Sequence, residues 1–440
     1  MTRLTPCLAA LLACTPSAPA GETGEPGTGG SSGAADPTTG GAAPTSTSPS
    51  PSTSSAASTT SASATTATTG DDTSSSGDPT TGPASTCGDG VVDPGDLCFR
   101  PPVKLDTGAL PVAIDHGDLD GDARLDLVVA DFFSQSIYLY LGTGDGGFAD
   151  GPVLPSFLEP RGLVVADLNA DASLDLAVAD IGLNLLALYF NSAPPGEFAA
   201  PTPEGAGEQP RALAAADLDA DGLTDLVVAN EASNDVSVLL ASEPGKFADA
   251  VHYAVGDSPY DLVLADFDED GRLDLASADQ GLASVSVRLA DGPGSFGPLT
   301  SVPAVPEPRG VAAGDLDGDG HLEIVAASYT HPELAILRGA GDGGFPGQAV
   351  LIPIGEGLYT AALVDLDHDG ALDLVGVHRD QGEVVVVRNL GEGKQPSLDA
   401  LGIGGGPIDL TVADFNADGA LDLATADSIS GSVTVLIADP

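Results

Sequence analysis

Seven times between Asp118 and Asp422 the chain repeats one nine-residue acidic loop, D-x-[DN]-x-D-[GA]-x-x-[DE], each copy followed by a short apolar run. The first aspartates are Asp118, Asp167, Asp217, Asp266, Asp315, Asp365 and Asp414, so the steps are 49, 50, 49, 49, 50 and 49 residues. A period that regular means one supersecondary unit copied along the chain, in which each copy buries its apolar face against its neighbours.

Each unit contains four short β-type stretches separated by turn residues. In the third, an apolar run over 212–216 leads into the acidic loop and 226–229 leaves it. A third stretch, 236–240, follows a polar turn, and Gly245-Lys246-Phe247 opens a fourth. Four strands of about five or six residues plus their turns fill such a unit, which is the size of a propeller blade. Chain phase separates a closed ring from an open stack. The first strand-like piece, Phe99 to Leu105, matches the fourth stretch of a unit, whose start is held elsewhere by Phe148, Phe198, Phe247, Phe296 and Phe345, whereas the chain stops after a third stretch. The first strand is therefore expected to complete the last blade, leaving no unpaired edge. Residues 99–440 read as an all-β domain, a seven-bladed β-propeller with four-stranded antiparallel blades.

The preceding chain is different material. Residues 14–86 are dominated by Ser, Thr, Gly, Pro and Ala. Such a segment buries too little apolar surface to offset chain entropy, so a disordered, flexible tether is expected, with a composition that permits O-glycosylation. Residues 1–13 read as an export signal, being far shorter than the roughly 20 residues of a membrane-spanning helix. Leu11-Leu12-Ala13-Cys14 resembles the lipobox of bacterial lipoproteins, which implies cleavage before Cys14, lipid on its sulfur and a membrane-anchored protein at the outer membrane or cell surface. A cut after Ala18-Pro19-Ala20 would instead release a secreted protein. With Cys7 removed and Cys14 lipidated, Cys87 and Cys98 remain to pair across the turn-rich element 87–98. That element resembles a short Cys-rich element of bacterial surface proteins, although Phe99 stands where an acidic residue is usual. Two thiolates alone lack the further ligands zinc needs.

A formal net charge of −51 argues against nucleic acid or an anionic membrane surface as a direct partner. Positions one, three, five and nine of the seven loops hold 26 acids, packed closely enough that a counter-ion is expected. Calcium suits them, because it takes six to eight oxygens at flexible geometry and alternate residues of a tight loop turn their oxygens inward. Gly at position six would permit the turn. The alternative is a set of plain turns whose aspartates make local hydrogen bonds.

The repeated loop resembles the FG-GAP/VCBS repeat family, which includes the calcium-bearing propeller of integrin α chains, and the resemblance covers residues 99–440. It implies Ca²⁺ between the first and second strands of each blade. The ligands carried over are Asp118, Asp120, Asp122 and Asp126; Asp167, Asn169, Asp171 and Asp175; Asp217, Asp219, Asp221 and Asp225; Asp266, Asp268, Asp270 and Asp274. Asp315, Asp317, Asp319 and Glu323 follow, then Asp365, Asp367, Asp369 and Asp373, then Asp414, Asn416, Asp418 and Asp422. Ala123 and Ala172 replace the loop glycine, and Asn169 and Asn416 each drop a charge, so the second site is expected to be the weakest. The Phe-Gly signature is loose, with Ala after Phe148, Phe198 and Phe247 and Lys394-Gln395 in the sixth unit.

Strand alternation places two rings at the end of the propeller opposite these loops. Six residues before each first aspartate lie Val112, Arg161, Arg211, Tyr260, Arg309, Tyr359 and Ile408; thirteen after it lie Asp131, Asp180, Asn230, Asp279, Ser328, His378 and Asp427. Arg161, Arg211 and Arg309 would hold a carboxylate, sulfate or uronic acid, with Tyr260 and Tyr359 stacking on a sugar ring. A salt-bridged ring, with Arg161 on Asp180, is the plainer reading, and Arg211 and Arg309 are expected to lack partners within their own blades. No nucleophile, zinc or phosphate-cradling motif is present. His378 is the best candidate acid or base for an alternative function as a polysaccharide lyase. The reading favoured is an exported, monomeric, calcium-stabilised binding or adhesion module for a glycan or protein at the cell surface; a structural surface component is a third possibility.

Overall fold

The computed structural model describes residues 97–192, 196–355, 357–388, 390–391 and 396–439. The signal and tether segments, Cys14 and Cys87 lie outside them, as do Lys394 and Gln395.

Seven four-stranded antiparallel sheets follow one another around a ring. The inner strands are Pro111–Gly117, Pro160–Ala166, Pro210–Ala216, Pro259–Ala265, Pro308–Gly314, Leu358–Val364 and Pro407–Ala413. Each leads through the acidic loop into a second strand, which begins on the loop's ninth residue and runs for six residues, as in Asp126–Asp131 and Asp422–Asp427. Every residue of all seven second strands is buried. Neighbouring blades cover both faces, which explains the unbroken apolar runs with alanine where blades approach closely. The outer strands are largely exposed, as in Val251–Ala254, where only the third residue is half-buried.

The ring closes as its phase requires. Val103–Asp106 pairs antiparallel with Ser432–Leu436, adding the missing outer strand to blade 7. Phe99 bridges Ala438, and Arg100 N donates to Ile437 O at 2.8 Å. Blades 7 and 1 share one apolar cluster, including Ile114, Val129, Phe415 and Val433. Across the same seam Ile114 N donates to the buried Asp409 carboxylate at 2.9 Å. Asp115 and Asp261 make the same kind of tie, accepting from Val165 N and Val311 N of the following blades.

The recurrent phenylalanine does not generally start the outer strand. It does so in blade 1 (Phe148–Pro155) and blade 4 (Ser295–Pro303), but Phe198 and Phe247 sit in two-residue strands of separate hairpins, and pairing resumes at Thr202 and Val251. The hairpin tip has another role. Gly245, Gly294 and Gly343 donate backbone N–H groups to Leu168, Leu218 and Phe267, the second residues of the preceding blade's acidic loops. All three glycines adopt positive φ, and a Cβ on Gly294 or Gly343 would strike a leucine side chain.

Candidate functional site

The end of the ring that carries the acidic loops is built by one repeated hydrogen-bond pattern. The first carboxylate accepts from the amides of positions five and six: Asp118 from Asp122 at 3.0 Å and Ala123 at 2.9 Å, with close copies at Asp167, Asp217, Asp315 and Asp414. The fifth carboxylate accepts from the amide of position seven, as in Arg124 N to Asp122 at 2.9 Å. This winding needs left-handed backbone at two places, positions four and six, rather than at position six alone. In loop 2 both fall on alanine, Ala170 at φ 57° and Ala172 at φ 70°, and position four also takes Glu269 and His368. Each such residue stores roughly 1 kcal/mol or more, so loop 2 is the most strained copy.

The ninth acid is an anchor. Leu119 N and Gly142 N donate to opposite oxygens of Asp126 at 2.9 and 2.8 Å, fastening the loop to the end of the third strand, and Asp175, Asp225, Asp274 and Asp422 repeat the arrangement. Burial raises the carboxyl pKa of Asp126, Asp175, Asp225, Asp274, Asp373 and Asp422 to about 6, against the amide hydrogen bonds that lower it.

Five loops bring three acids together with oxygens within 4.8 Å: Asp118, Asp120 and Asp122; Asp217, Asp219 and Asp225; Asp266, Asp268 and Asp274; Asp315, Asp317 and Glu323; and Asp365, Asp367 and Asp373. Asp268 Oδ1, Asp317 Oδ1 and Asp365 Oδ1 are buried without a hydrogen-bond donor. A buried anionic oxygen without a donor is costly, and a hard cation removes that cost, so this donor set fits calcium. Loops 2 and 7 differ by their third-position asparagines; in loop 7 Asn416 Nδ2 donates to Asp418 at 2.8 Å. Arginines supply part of the counter-charge in blades 5 and 6, where Arg338 reaches Asp317 at 2.6 Å and Arg388 reaches Asp367 at 3.4 Å.

The opposite mouth is organised by a β-bulge. In every blade the ladder between inner and second strands is regular up to the inner strand's first residues, where the register shifts. The out-of-register residues include Val112, Arg161, Arg211, Tyr260, Arg309, Tyr359 and Ile408, and the bulge turns their side chains away from simple alternation. They form cross-blade stacks. Arg161 lies 4.2 Å from the ring centre of Phe132 in the preceding blade. Tyr260 stands between Arg211 at 4.3 Å and Arg309 at 5.0 Å, and Arg309 also meets Tyr329 at 4.3 Å and Tyr359 at 4.9 Å.

Burial changes which residues a ligand meets. Tyr260 and Tyr359 are 1% and 0% exposed, so they line the wall and offer no open ring face; Arg161 and Arg211 are also buried, and Arg309 is half-buried. The ring thirteen residues after the first aspartate is equally enclosed, because the loop entering each inner strand closes over it. Asp131 accepts from Leu110 N and Ser134 N, and Asp180 from Leu158 N, Glu159 N and Leu183 N. Asp180 thus caps the loop that enters the inner strand. His378 is 5% exposed against Gly355, and burial lowers its pKa. Arg211 does have a partner in its own blade, Glu231, reached from Nε at 2.7 Å.

The residues that face the opening lie one step further on, fourteen after the first aspartate: Phe132, Ile181, Glu231, Gln280, Tyr329 and Arg379 are half-buried, whereas Ser428 is buried. Alternation in a regular ladder points to thirteen; only the bulge and the turn beyond it bring fourteen to the mouth. Tyr329 donates to Asp380 at 3.0 Å and packs edge-on against Tyr359 at 4.6 Å. Exposed Phe133, Leu158, Leu183, Leu282 and Ile429 follow or flank this ring in sequence.

Similar architectures occur in proteins of diverse activity. The N-terminal domain of BBS1, solved in complex with ARL6, matches at a TM-score of 0.55 and 14% identity over 78% of this chain and 97% of its own. Virginiamycin B lyase from Staphylococcus aureus matches at 0.52 and 10% identity, over 77% and 99%. Hydrazine synthase of Kuenenia stuttgartiensis matches at 0.52 and 13%, over 76% and 96%. At these identities the likeness concerns the fold. No curated protein sequence matches the chain. The FG-GAP-like repeat matches at residues 118–178, 167–228, 217–277, 266–326, 315–376 and 365–425, each span running from one acidic loop through the next. With those matches over loops that share one geometry, the chain belongs to the FG-GAP-like repeat family.

Proposed function

We propose that this propeller is an exported binding module whose acidic loops hold structural Ca²⁺ and whose ligand, a glycan or a protein, docks on the mouth opposite them. The observation that carries the reading is the bulge repeated in all seven inner strands: it presents a different set of side chains from each blade at one end of an otherwise repetitive scaffold. The loop end is uniform, as a structural element is. At extracellular calcium, loops of this kind with dissociation constants of about 0.1 to 1 mM are filled, and a hundredfold excess of ion stabilises the fold by roughly 2.7 kcal/mol per site. A lipid on Cys14 would tether the module through residues 14–86, and a Cys87–Cys98 disulfide would close the element before the ring.

The partner of BBS1 in the similar structure is a protein, and virginiamycin B lyase is an enzyme, so a propeller of this shape serves either role. Enclosure of His378 removes the main support for a lyase reading. The test is a panel of polysaccharides and extracellular proteins presented to the full chain in calcium. Saturable binding that weakens at least tenfold on Tyr329→Ala and is unchanged on Lys246→Gln, at an exposed outer hairpin, supports the mouth as the binding face. Binding that survives every mouth substitution, or calcium-dependent self-association without a ligand, contradicts it.

A further inference from the structure

We propose that the mouth between blades 4, 5 and 6 is an oxyanion site, taking a carboxylate or sulfate on Arg309. This rests on the mouth being the binding face. Arg309 holds its charge in an unusual setting: its neighbours are the ring faces of Tyr260, Tyr329 and Tyr359, none more than 5.0 Å away, and not a carboxylate. Gln280 of the preceding blade, with its amide oxygen turned inward, accepts from Nε at 3.1 Å and Nη2 at 2.9 Å. Nη1 is buried and has no acceptor among the described residues. Tyr260 Oη, on a residue 1% exposed, and Thr360 Oγ1, on a residue with no exposure, are likewise without partners.

A guanidinium can only donate and a phenol donates readily, so Arg309 and Tyr260, 5.0 Å apart from guanidinium carbon to ring centre, set two donors short of acceptors side by side. In a chain with 65 acids and 14 Lys and Arg, the bulge ring to which Arg309 and Tyr260 belong has no acid at all: Val112, Arg161, Arg211, Tyr260, Arg309, Tyr359 and Ile408. The carboxylates beside this group are already engaged, Glu231 with Arg211 and Asp380 with the Tyr329 hydroxyl. Burial also holds the Tyr260 phenol protonated and able to donate. Aromatic faces and the Gln280 amide leave Nη1 for one oxygen of a planar or tetrahedral oxyanion, which would accept from it through a short charge-assisted bond. Because Nη1 and Tyr260 Oη are enclosed, the entering group must be small: an inorganic ion, or the acidic tip of a sugar whose body rests on half-exposed Tyr329.

The experiment is calorimetric titration of the full calcium-loaded chain with sodium glucuronate, oligoglucuronate, sodium sulfate and, as the uncharged control, glucose. Glucuronate or sulfate is expected to bind, with glucose at least tenfold weaker. Arg309→Gln should remove that preference, Arg309→Lys should weaken binding by less, and Tyr260→Phe should weaken it several-fold. Oligoglucuronate at least tenfold tighter than sulfate identifies an acid carried on a sugar; equal affinities identify a free inorganic anion. Acid and neutral probes binding alike, no binding by either anion, or a crystal grown in sulfate showing only water at Nη1 each overturn the proposal. A macromolecular ligand lost on Tyr329→Ala yet unaffected by Arg309→Gln overturns the oxyanion site alone and leaves the mouth as the binding face.

Discussion

The two ends of the ring are made from the same blades and obey opposite rules. At the loop end one hydrogen-bond scheme recurs: the first carboxylate takes up two amides in six of the seven loops, and the ninth acid locks the loop to the third strand in five among the described residues. At the other end the seven bulge residues range from Val112 through arginine to tyrosine; Arg211, Tyr260, Arg309 and Tyr359 stack on one another from blade to blade, and Arg161 lies on Phe132. Uniformity is what a structural element needs, since each loop solves the same problem of turning the chain between two buried strands. Diversity on a rigid frame is what recognition needs.

The largest expected effect concerns closure, on which both ends depend. Removal of residues 97–106 strips blade 7 of its outer strand and exposes Ser432–Leu436 as an edge. We expect loss of the cooperative melting transition or calcium-resistant aggregation, measured by calorimetry and light scattering; an unchanged transition would show that the ring does not depend on its first strand.

The next prediction separates anchors from ligands at the loop end. Asp126→Ala leaves Leu119 N and Gly142 N without acceptors in a buried setting, at a cost of about 2 to 5 kcal/mol with or without calcium. Asp122→Ala, at the fifth position and in the acid triad of the same loop, should cost less than about 1 kcal/mol without calcium and more with it. Denaturant melts in chelator and in calcium read both; equal sensitivity of the two variants to calcium would erase the distinction.

Acid sharpens the comparison at the mouth end. Burial raises Asp279 and Asp427 to about 6, and it raises Asp409 as well. These groups bind protons more tightly folded than unfolded, so each adds stability as pH falls, for Asp279 and Asp427 roughly 1 to 3 kcal/mol each between about pH 7 and 4. Metal-free protein should therefore melt higher at pH 5 than at pH 7.5. Calcium-loaded protein should show a smaller gain or a loss, because protons compete for its ligands. A metal-free protein that loses stability on acidification would contradict the burial of these groups.

The smallest effect lies in the strained loop. Ala172→Gly relieves a left-handed alanine at φ 70° and should stabilise by about 0.5 to 1 kcal/mol, whereas Gly222→Ala, at φ 90° in loop 3, should destabilise by at least as much. Melting shifts of opposite sign are expected, and shifts of the same sign would break the assignment of strain.

The difference between the ends also explains what was legible in the sequence. Blade number, ring closure and the nine-residue loops follow from a period that local chemistry repeats, so Asp118 and its six equivalents could be placed before any coordinates. The second left-handed position escaped notice because alanine, glutamate and histidine stand at 170, 269 and 368 where glycine would have marked it. At the mouth, strict alternation pointed to Asp131 and Asp180, which the entering loops cover, and missed Phe132, Glu231, Gln280 and Tyr329. A bulge leaves its trace only as a recurrent proline before the displaced residue, Pro160-Arg161 or Pro308-Arg309.

The most direct test of the central claim is calcium stoichiometry measured together with the melting temperature of the full chain, metal-stripped and calcium-loaded. Five acid triads among seven loops predict about five to seven bound ions and a large upward shift in melting temperature on loading. No bound ions and no shift would leave the aspartates as turn residues held by their own amides, and would return the acidic end of the ring to consideration as the place where function resides.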